Sequence, residues 1–323
     1  MKGYLALLCI GFLALSCQSI ENSVIPPPPS QRVPADYTPA WSPNGEYIAY
    51  SHYQQAFNDT LVTGLYVLEL ATGTRRLVAP GRTLHPSWFS DSRRIAFAAG
   101  PIYMVDIDNP MPTVLIAGTC YAPSVSPNDT AIAYDAPYGI SSGSVVWVFT
   151  LGSQTARDIS VHGQGEWKRP RRSPDGTRIL HFRYSGSPNG TTELFTMDPM
   201  GESTVQLTHN SIDDVEPTWS PPGTMIAWCR SNVVTEEIWT SSSDGSNSRR
   251  LAAGLYPSFS PDGTKIVFVD PFSADSIDLH VINIDGTGYT PLSRGSLAPE
   301  DSILENIGSC LNLTPAPFAI SRS

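Results

Sequence analysis

Pro257-Ser258-Phe259-Ser260-Pro261-Asp262-Gly263 decides the architecture of this 323-residue chain, because the unit recurs. It reads Pro39-Ala40-Trp41-Ser42-Pro43-Asn44-Gly45, Pro86-Ser87-Trp88-Phe89-Ser90-Asp91-Ser92 and Pro123-Ser124-Val125-Ser126-Pro127-Asn128-Asp129. It returns as Pro170-Arg171-Arg172-Ser173-Pro174-Asp175-Gly176 and Pro217-Thr218-Trp219-Ser220-Pro221-Pro222-Gly223. In all six copies an Ile lies nine positions after the first Pro, at Ile48, Ile95, Ile132, Ile179, Ile226 and Ile266. Two positions further on stands Tyr50, Phe97, Tyr134, His181, Trp228 or Phe268.

Each unit reads as antiparallel sheet. The apolar stretch before the turn is a short strand, and Pro-Asp-Gly is a tight turn, with Pro presetting φ and Asp and Gly tolerating the remaining angles. The Ile-x-aromatic segment is the returning strand, its alternate residues facing one layer. A third strand is expected over 65–70, 102–107, 145–150, 194–197, 238–241 and 279–284. A fourth follows a polar turn, as at 75–78, 205–208 and 290–292. The first prolines fall 37 to 47 residues apart, the spacing of four-stranded propeller blades. One blade cannot bury both its faces, so the blades must pack in a ring. The expected fold is all-β: a six-bladed β-propeller of four-stranded antiparallel blades over 36–293. The tail 294–323 reads equally as a short helix or a closing strand.

Composition agrees. Hydrophobic residues make up 41% of the chain and charged residues 15%, with 29 Pro and 25 Gly, which suits many turns and argues against long helices. The net charge of −10 excludes general nucleic-acid binding, which needs a basic footprint.

The N-terminus is an address. Lys2 precedes an apolar run over 4–15, too short to span a bilayer as a helix and the right length for a signal-peptide core. The run ends Ala14-Leu15-Ser16-Cys17, which resembles a bacterial lipobox. That resemblance implies a signal peptide over 1–16, lipid on Cys17 and, with Gln18 next, sorting to the outer membrane. The four prolines from Pro26 to Pro29 make 17–35 a stiff tether. Lipid is then the only membrane contact, and the folded part is a monomer at the periplasmic face of the outer membrane or another extracytoplasmic surface. Of the remaining cysteines, Cys120, Cys229 and Cys310 allow one disulfide with one thiol left over, or three buried thiols.

The repeat resembles that of the TolB-type propeller family, whose unit is P-x-W-S-P-D-G-x-x-I-A-F; the propellers of prolyl-oligopeptidase-like peptidases share it. With only 17–35 ahead of the first unit and about 30 residues after the last, neither the N-terminal domain of TolB nor the hydrolase domain of the peptidases is expected. The resemblance implies a non-catalytic scaffold that binds an envelope protein, such as a peptidoglycan-associated lipoprotein. A glycan or small-ligand sensor using the central channel mouth is the alternative.

No catalytic residue, cofactor or metal site is assigned. Gly139-Ile140-Ser141-Ser142-Gly143 matches G-x-S-x-G, but in a loop between strands rather than at a strand-to-helix elbow. No two of the six histidines lie at i, i+4, and no cysteine pair joins them with zinc spacing.

The fourth unit departs from the others. Arg172 stands where Trp41, Trp88 or Trp219 stands elsewhere, inside the run Trp167-Lys168-Arg169-Pro170-Arg171-Arg172, and His181 takes the aromatic slot. A charge is costly to bury unpaired, so Arg172 must meet an acid, such as Glu166 or Asp175, or water. First strands of a propeller line its channel. Trp167, Lys168, Arg169, Arg171, Arg172 and His181 are therefore the candidate binding residues, for an anionic peptide segment, a carboxylate-rich glycan or a phosphate, with Trp167 read as exposed; the alternative is that Arg171 and Arg172 make internal salt bridges to a neighbouring blade.

Overall fold

A computed structural model describes residues 36–54, 61–138, 143–160, 165–184, 190–232, 234–272 and 279–292. The proposed signal peptide, Cys17, the proline tether, Gly139 to Ser142 and the tail with Cys310 lie outside these residues.

Every regular element among the described residues is a strand, and the strands fall into six consecutive antiparallel blades. Blade one is β1 (Asp36–Trp41), β2 (Tyr47–His52), β3 (Gly64–Glu69) and β4 (Arg75–Pro80). Blade two holds β5 (Leu84–Trp88), β6 (Arg94–Ala98), β7 (Gly100–Asp106) and the first half of β8 (Asn109–Val125). The second half of β8 is the inner strand of blade three, with β9 (Ala131–Pro137), β10 (Ser144–Thr150) and β11 (Thr155–Asp158), so these two blades form one seven-stranded sheet. Blade four is β12 (Glu166–Arg172), β13 (Ile179–Tyr184), β14 (Thr192–Met197) and β15 (Val205–Gln206). Blade five is β16 (Asp213–Trp219), β17 (Met225–Ser231), β18 (Glu236–Ser242) and β19 (Arg249–Ala253). Blade six is β20 (Leu255–Phe259), β21 (Lys265–Val269), β22 (Leu279–Asn283) and β23 (Thr290–Pro291).

The turn of the repeat is built by its serine. The Ser260 hydroxyl accepts the Lys265 N–H at 2.9 Å and donates to Asp262, whose carboxylate also takes the Thr264 N–H. Ser42, Ser126, Ser173 and Ser220 accept the N–H five residues on in the same way, at 2.9–3.0 Å. Turn donors buried from water are thus satisfied within the unit. Blade two places Phe89 there instead, and Asp91 takes the Arg93 and Arg94 N–H groups at 2.9 and 3.0 Å.

Six apolar clusters fill the six seams between blades. Ile48, Tyr50 and Leu68 of blade one pack with Val267, Val269 and Leu279 of blade six, and β1 lies against β20, which closes the ring. Hydrogen bonds stitch the inner strands. Ser87, Ser124 and Ser258 each accept the N–H of the motif's third residue in the next blade, from Val125, Arg172 and Trp41, at 3.0–3.2 Å. Where Ala40 and Arg171 replace that serine, the indoles of Trp88 and Trp219 donate to their carbonyls, at 2.9 and 3.0 Å.

Each inner strand also carries a bulge just before its motif proline. Register slips between Tyr37/Ala40, Leu84/Ser87, Tyr121/Ser124, Lys168/Arg171, Val215/Thr218 and Leu255/Ser258. The residue ahead of each Pro, namely Thr38, His85, Ala122, Arg169, Glu216 or Tyr256, has φ between 43° and 55°. Left-handed non-glycine backbone costs about 1–2 kcal/mol, and a bulge re-aims side chains. Thr38, His85, Glu216 and Tyr256 of this set line the central channel.

Candidate functional site

The channel encloses about 310 Å³ and is walled by the inner strands of blades one, two, four, five and six. Its two ends differ in chemistry. At the turn end, Trp41, Trp88, Val125 and Phe259 stand among the motif prolines Pro43, Pro127, Pro174, Pro221 and Pro261. At the other, the bulges bring ionisable and phenolic side chains together.

Arg169 organises that charged end. Its Nε donates to Glu216 Oε1 across the seam between blades four and five at 2.9 Å, and its backbone N–H donates to Asp135 Oδ1 of blade three at 3.2 Å. Burial works against the Arg169 charge, but Glu216 and Asp135 more than offset it and hold the group above its ordinary value. Burial raises Asp135 to about 6, with Arg169 opposing the rise. His85 lies with Nδ1 3.9 Å from Glu216 Oε2. Burial, then the charges of Arg169 and Arg171, keep it well below the usual imidazole range, so it is neutral at pH 7.

The blade-four candidates separate into three groups. Arg171 and Arg172 both line the channel. Arg172 meets neither Glu166 nor Asp175. Its Nη2 donates to the Gly176 carbonyl at 3.4 Å, as the Trp41 indole donates to Gly45 at 3.3 Å, so the guanidinium reproduces the contact of the tryptophan it replaces. Arg171 makes no side-chain hydrogen bond or ion pair among the described residues. Burial lowers its pKa from the ordinary arginine value, an effect that Glu216 opposes and Arg169 deepens.

Arg169 and Lys168 are satisfied. Lys168 pairs with Glu166 at 2.5 Å near the surface, and Arg169 with Glu216. Trp167 and His181 belong to the interior. Trp167 is fully buried rather than exposed, because β12 turns it into the seam with blade three beside Ala133 and Val146. His181 stacks between Trp167 at 4.6 Å and Phe195 at 5.9 Å. Burial lowers it to about 3, so it serves as a neutral core ring.

Glu216, His85, Tyr256 and Asp135 are absent from the set expected from sequence. The first three occupy one position of the repeat, directly ahead of its proline, which is the signal that would have found them. Cys120 and Cys229 are buried free thiols. Gly139 to Ser142 of the G-x-S-x-G stretch lie outside the described residues.

The TolB beta propeller domain family matches residues 101–307. An uncharacterized protein of Agrobacterium fabrum is 27% identical over 205 residues, covering 60% of this chain and 67% of that one. A TolB homolog of Chlorobaculum tepidum is 30% identical over 130 residues, covering 39% of this chain and 29% of the homolog. The Tol-Pal system protein TolB of Francisella tularensis is 28% identical over 209 residues, covering 60% and 45%. The aligned region is thus under half of either TolB relative. The crystal structure of TolB from Acinetobacter baumannii superposes with a TM-score of 0.61 at 19% identity, covering 81% of this chain and 64% of that one. A putative TolB from Agrobacterium tumefaciens gives 0.61 at 20% identity, covering 72% and 87%. With six blades stitched by the repeat and a family match over most of them, this chain belongs to the TolB beta propeller domain family.

Proposed function

We propose that this chain is a non-catalytic, envelope-anchored propeller that binds a protein partner at its central channel, with Arg171 receiving a carboxylate of that partner. The observation that carries the reading is Arg171 itself. The side chains of Arg169 and Arg172 each have an acceptor on the protein; that of Arg171 has none among the described residues. A guanidinium held half-buried without an anion is costly, and it presents a fork that matches a carboxylate in two parallel bonds. Glu216 is already engaged by Arg169.

The relatives support the partner class. Two of them bear the name of the Tol-Pal system, which favours an envelope protein and, within that class, a peptidoglycan-associated lipoprotein. Lipid on Cys17 and the Pro26 to Pro29 tether would hold the propeller at the periplasmic face of the outer membrane, as a monomer with no other membrane contact. Arg171 and Arg172 touch the partner, Lys168 contributes at the rim, and Arg169 keeps the mouth in shape. Trp167 and His181 support β12 from behind.

The test is capture from envelope extract with lipid-free residues 30–323, run beside Arg171→Gln. The expected result is one protein retained by the native bait and lost by the variant. Equal retention by both baits would move the contact elsewhere, and no retention by either would remove the scaffold.

A further inference from the structure

A second cavity, of about 340 Å³, opens on the turn face between blades four and five, away from the charged channel end. It falls within the roughly 300–1,000 Å³ typical of small-molecule sites. Its origin lies in the first residue of the blade's second strand, or the residue aligned with it, which in blades one, two and five bridges to the next blade. Tyr47 stacks on Trp88 at 6.2 Å, Arg94 reaches Asp129 at 3.4 Å, and Met225 packs against the cluster containing Phe259. In blade four the position is Arg178, which turns back to its own blade and donates to Thr196 Oγ1 at 3.3 Å. Above the apolar cluster that fills this seam, its turn-face rim is left open, with Trp219 in the wall.

The lining presents donors and acceptors together. Arg178 is exposed and its side chain makes that one hydrogen bond among the described residues, so its other guanidinium N–H groups are available. Asp244 holds Ser246 with Oδ1 alone, which leaves Oδ2 to the groove. Asp175 is occupied by Ser173 and Thr177. Two carboxylates against one guanidinium disfavour an anion. A neutral polyol suits the set, since each hydroxyl both donates and accepts, and the apolar C–H face of a sugar ring loses water against an indole.

We propose that this groove is a separate binding site for a neutral sugar, with Trp219 beneath the ring and Arg178 and Asp244 on its hydroxyls. The groove is distinct from the channel mouth, where sequence alone would put a sugar, although Trp219 lines both.

The experiment follows the Trp219 indole and Gly223 amide NMR signals of the propeller while cellobiose, maltose, lactose and chitobiose are titrated to about 50 mM, a range that detects millimolar affinity. At least one sugar should give a saturable shift. Arg178→Ala and Asp244→Ala, both on the surface, should each weaken it about tenfold, while Arg93→Ala, on the surface of blade two, leaves it unchanged. No shift with any sugar, shifts that survive both groove variants, or a stronger response to inorganic phosphate than to every sugar would each overturn the proposal.

Discussion

Blades four and five are the same frame filled with opposite chemistry. In blade five, Asp214 at the start of β16 is fully buried and takes Arg230 in two bonds, at 2.8 and 2.9 Å, together with the Trp228 indole N–H at 2.8 Å. Arg230 also lies 4.1 Å from the centre of the Trp239 ring. In blade four the position of Asp214 holds Trp167, that of Trp228 holds His181, and Arg183 lies 4.0 Å from the Phe195 ring. Blade five keeps its acid inside, bound to its own arginine. Blade four fills that place with a ring stack and carries its cations on the inner strand, where Arg169 must borrow Glu216 from blade five and Arg171 faces the channel. The repeat therefore specifies where a side chain sits and leaves open whether it serves the blade or a partner.

The largest expected effect breaks blade five. Asp214→Ala strands Arg230 and the Trp228 N–H in the interior, and urea denaturation should register a loss of about 3–5 kcal/mol. Next comes acid. His181 has its folded pKa depressed to about 3, so the unfolded state binds more protons between about pH 6.5 and 3 and stability falls as pH drops through that window. A tenfold difference in proton affinity between the folded and unfolded states is worth about 1.4 kcal/mol, which makes the full loss on the order of several kcal/mol. Buried His85 acts in the same direction. Asp135, raised to about 6, acts oppositely, losing stability as pH rises from about 4 to 6. His181→Phe, which gives blade four the ring that Phe97 and Phe268 supply elsewhere, should flatten the melting temperature between pH 7 and 4; an unchanged slope would place the acid sensitivity at His85.

Glu216→Gln sharpens the comparison at the seam. It removes the charge that answers Arg169 while keeping a hydrogen-bond acceptor, and thermal melts should show a loss of about 1–3 kcal/mol. Arg171→Gln is the smallest for the fold, within about 0.5 kcal/mol of the parent, because no protein group depends on it. A large loss there would mean that Arg171 is structural.

The sequence carried the fold because its information is periodic. Ser42, Ser126, Ser173, Ser220 and Ser260 satisfy the same turn, and the ring count follows from six copies. The shared strand β8 escaped, since the link between blades two and three is simply shorter and needs no distinctive residue. The bulges escaped for a different reason. The residue before a proline avoids the α region by local rule, so left-handed backbone at Thr38 or Tyr256 is imposed by the sheet, and these residues share no chemistry. At the candidate site, Arg172 was legible as a charge in an apolar slot and Arg171 as a charge where the other units hold Ala, Ser or Thr. Trp167 was not legible as buried, because it sits beside Lys168 and Arg169 in sequence and is separated from them only by the alternation of β12.

The decisive measurement is calorimetric titration of the lipid-free propeller with the soluble domain of the peptidoglycan-associated lipoprotein from the same cell, parent against Arg171→Gln. A partner carboxylate on Arg171 predicts measurable binding that weakens about tenfold or more in the variant, with melting temperatures matched. Equal affinities for the two proteins, or no binding by the parent, would contradict it.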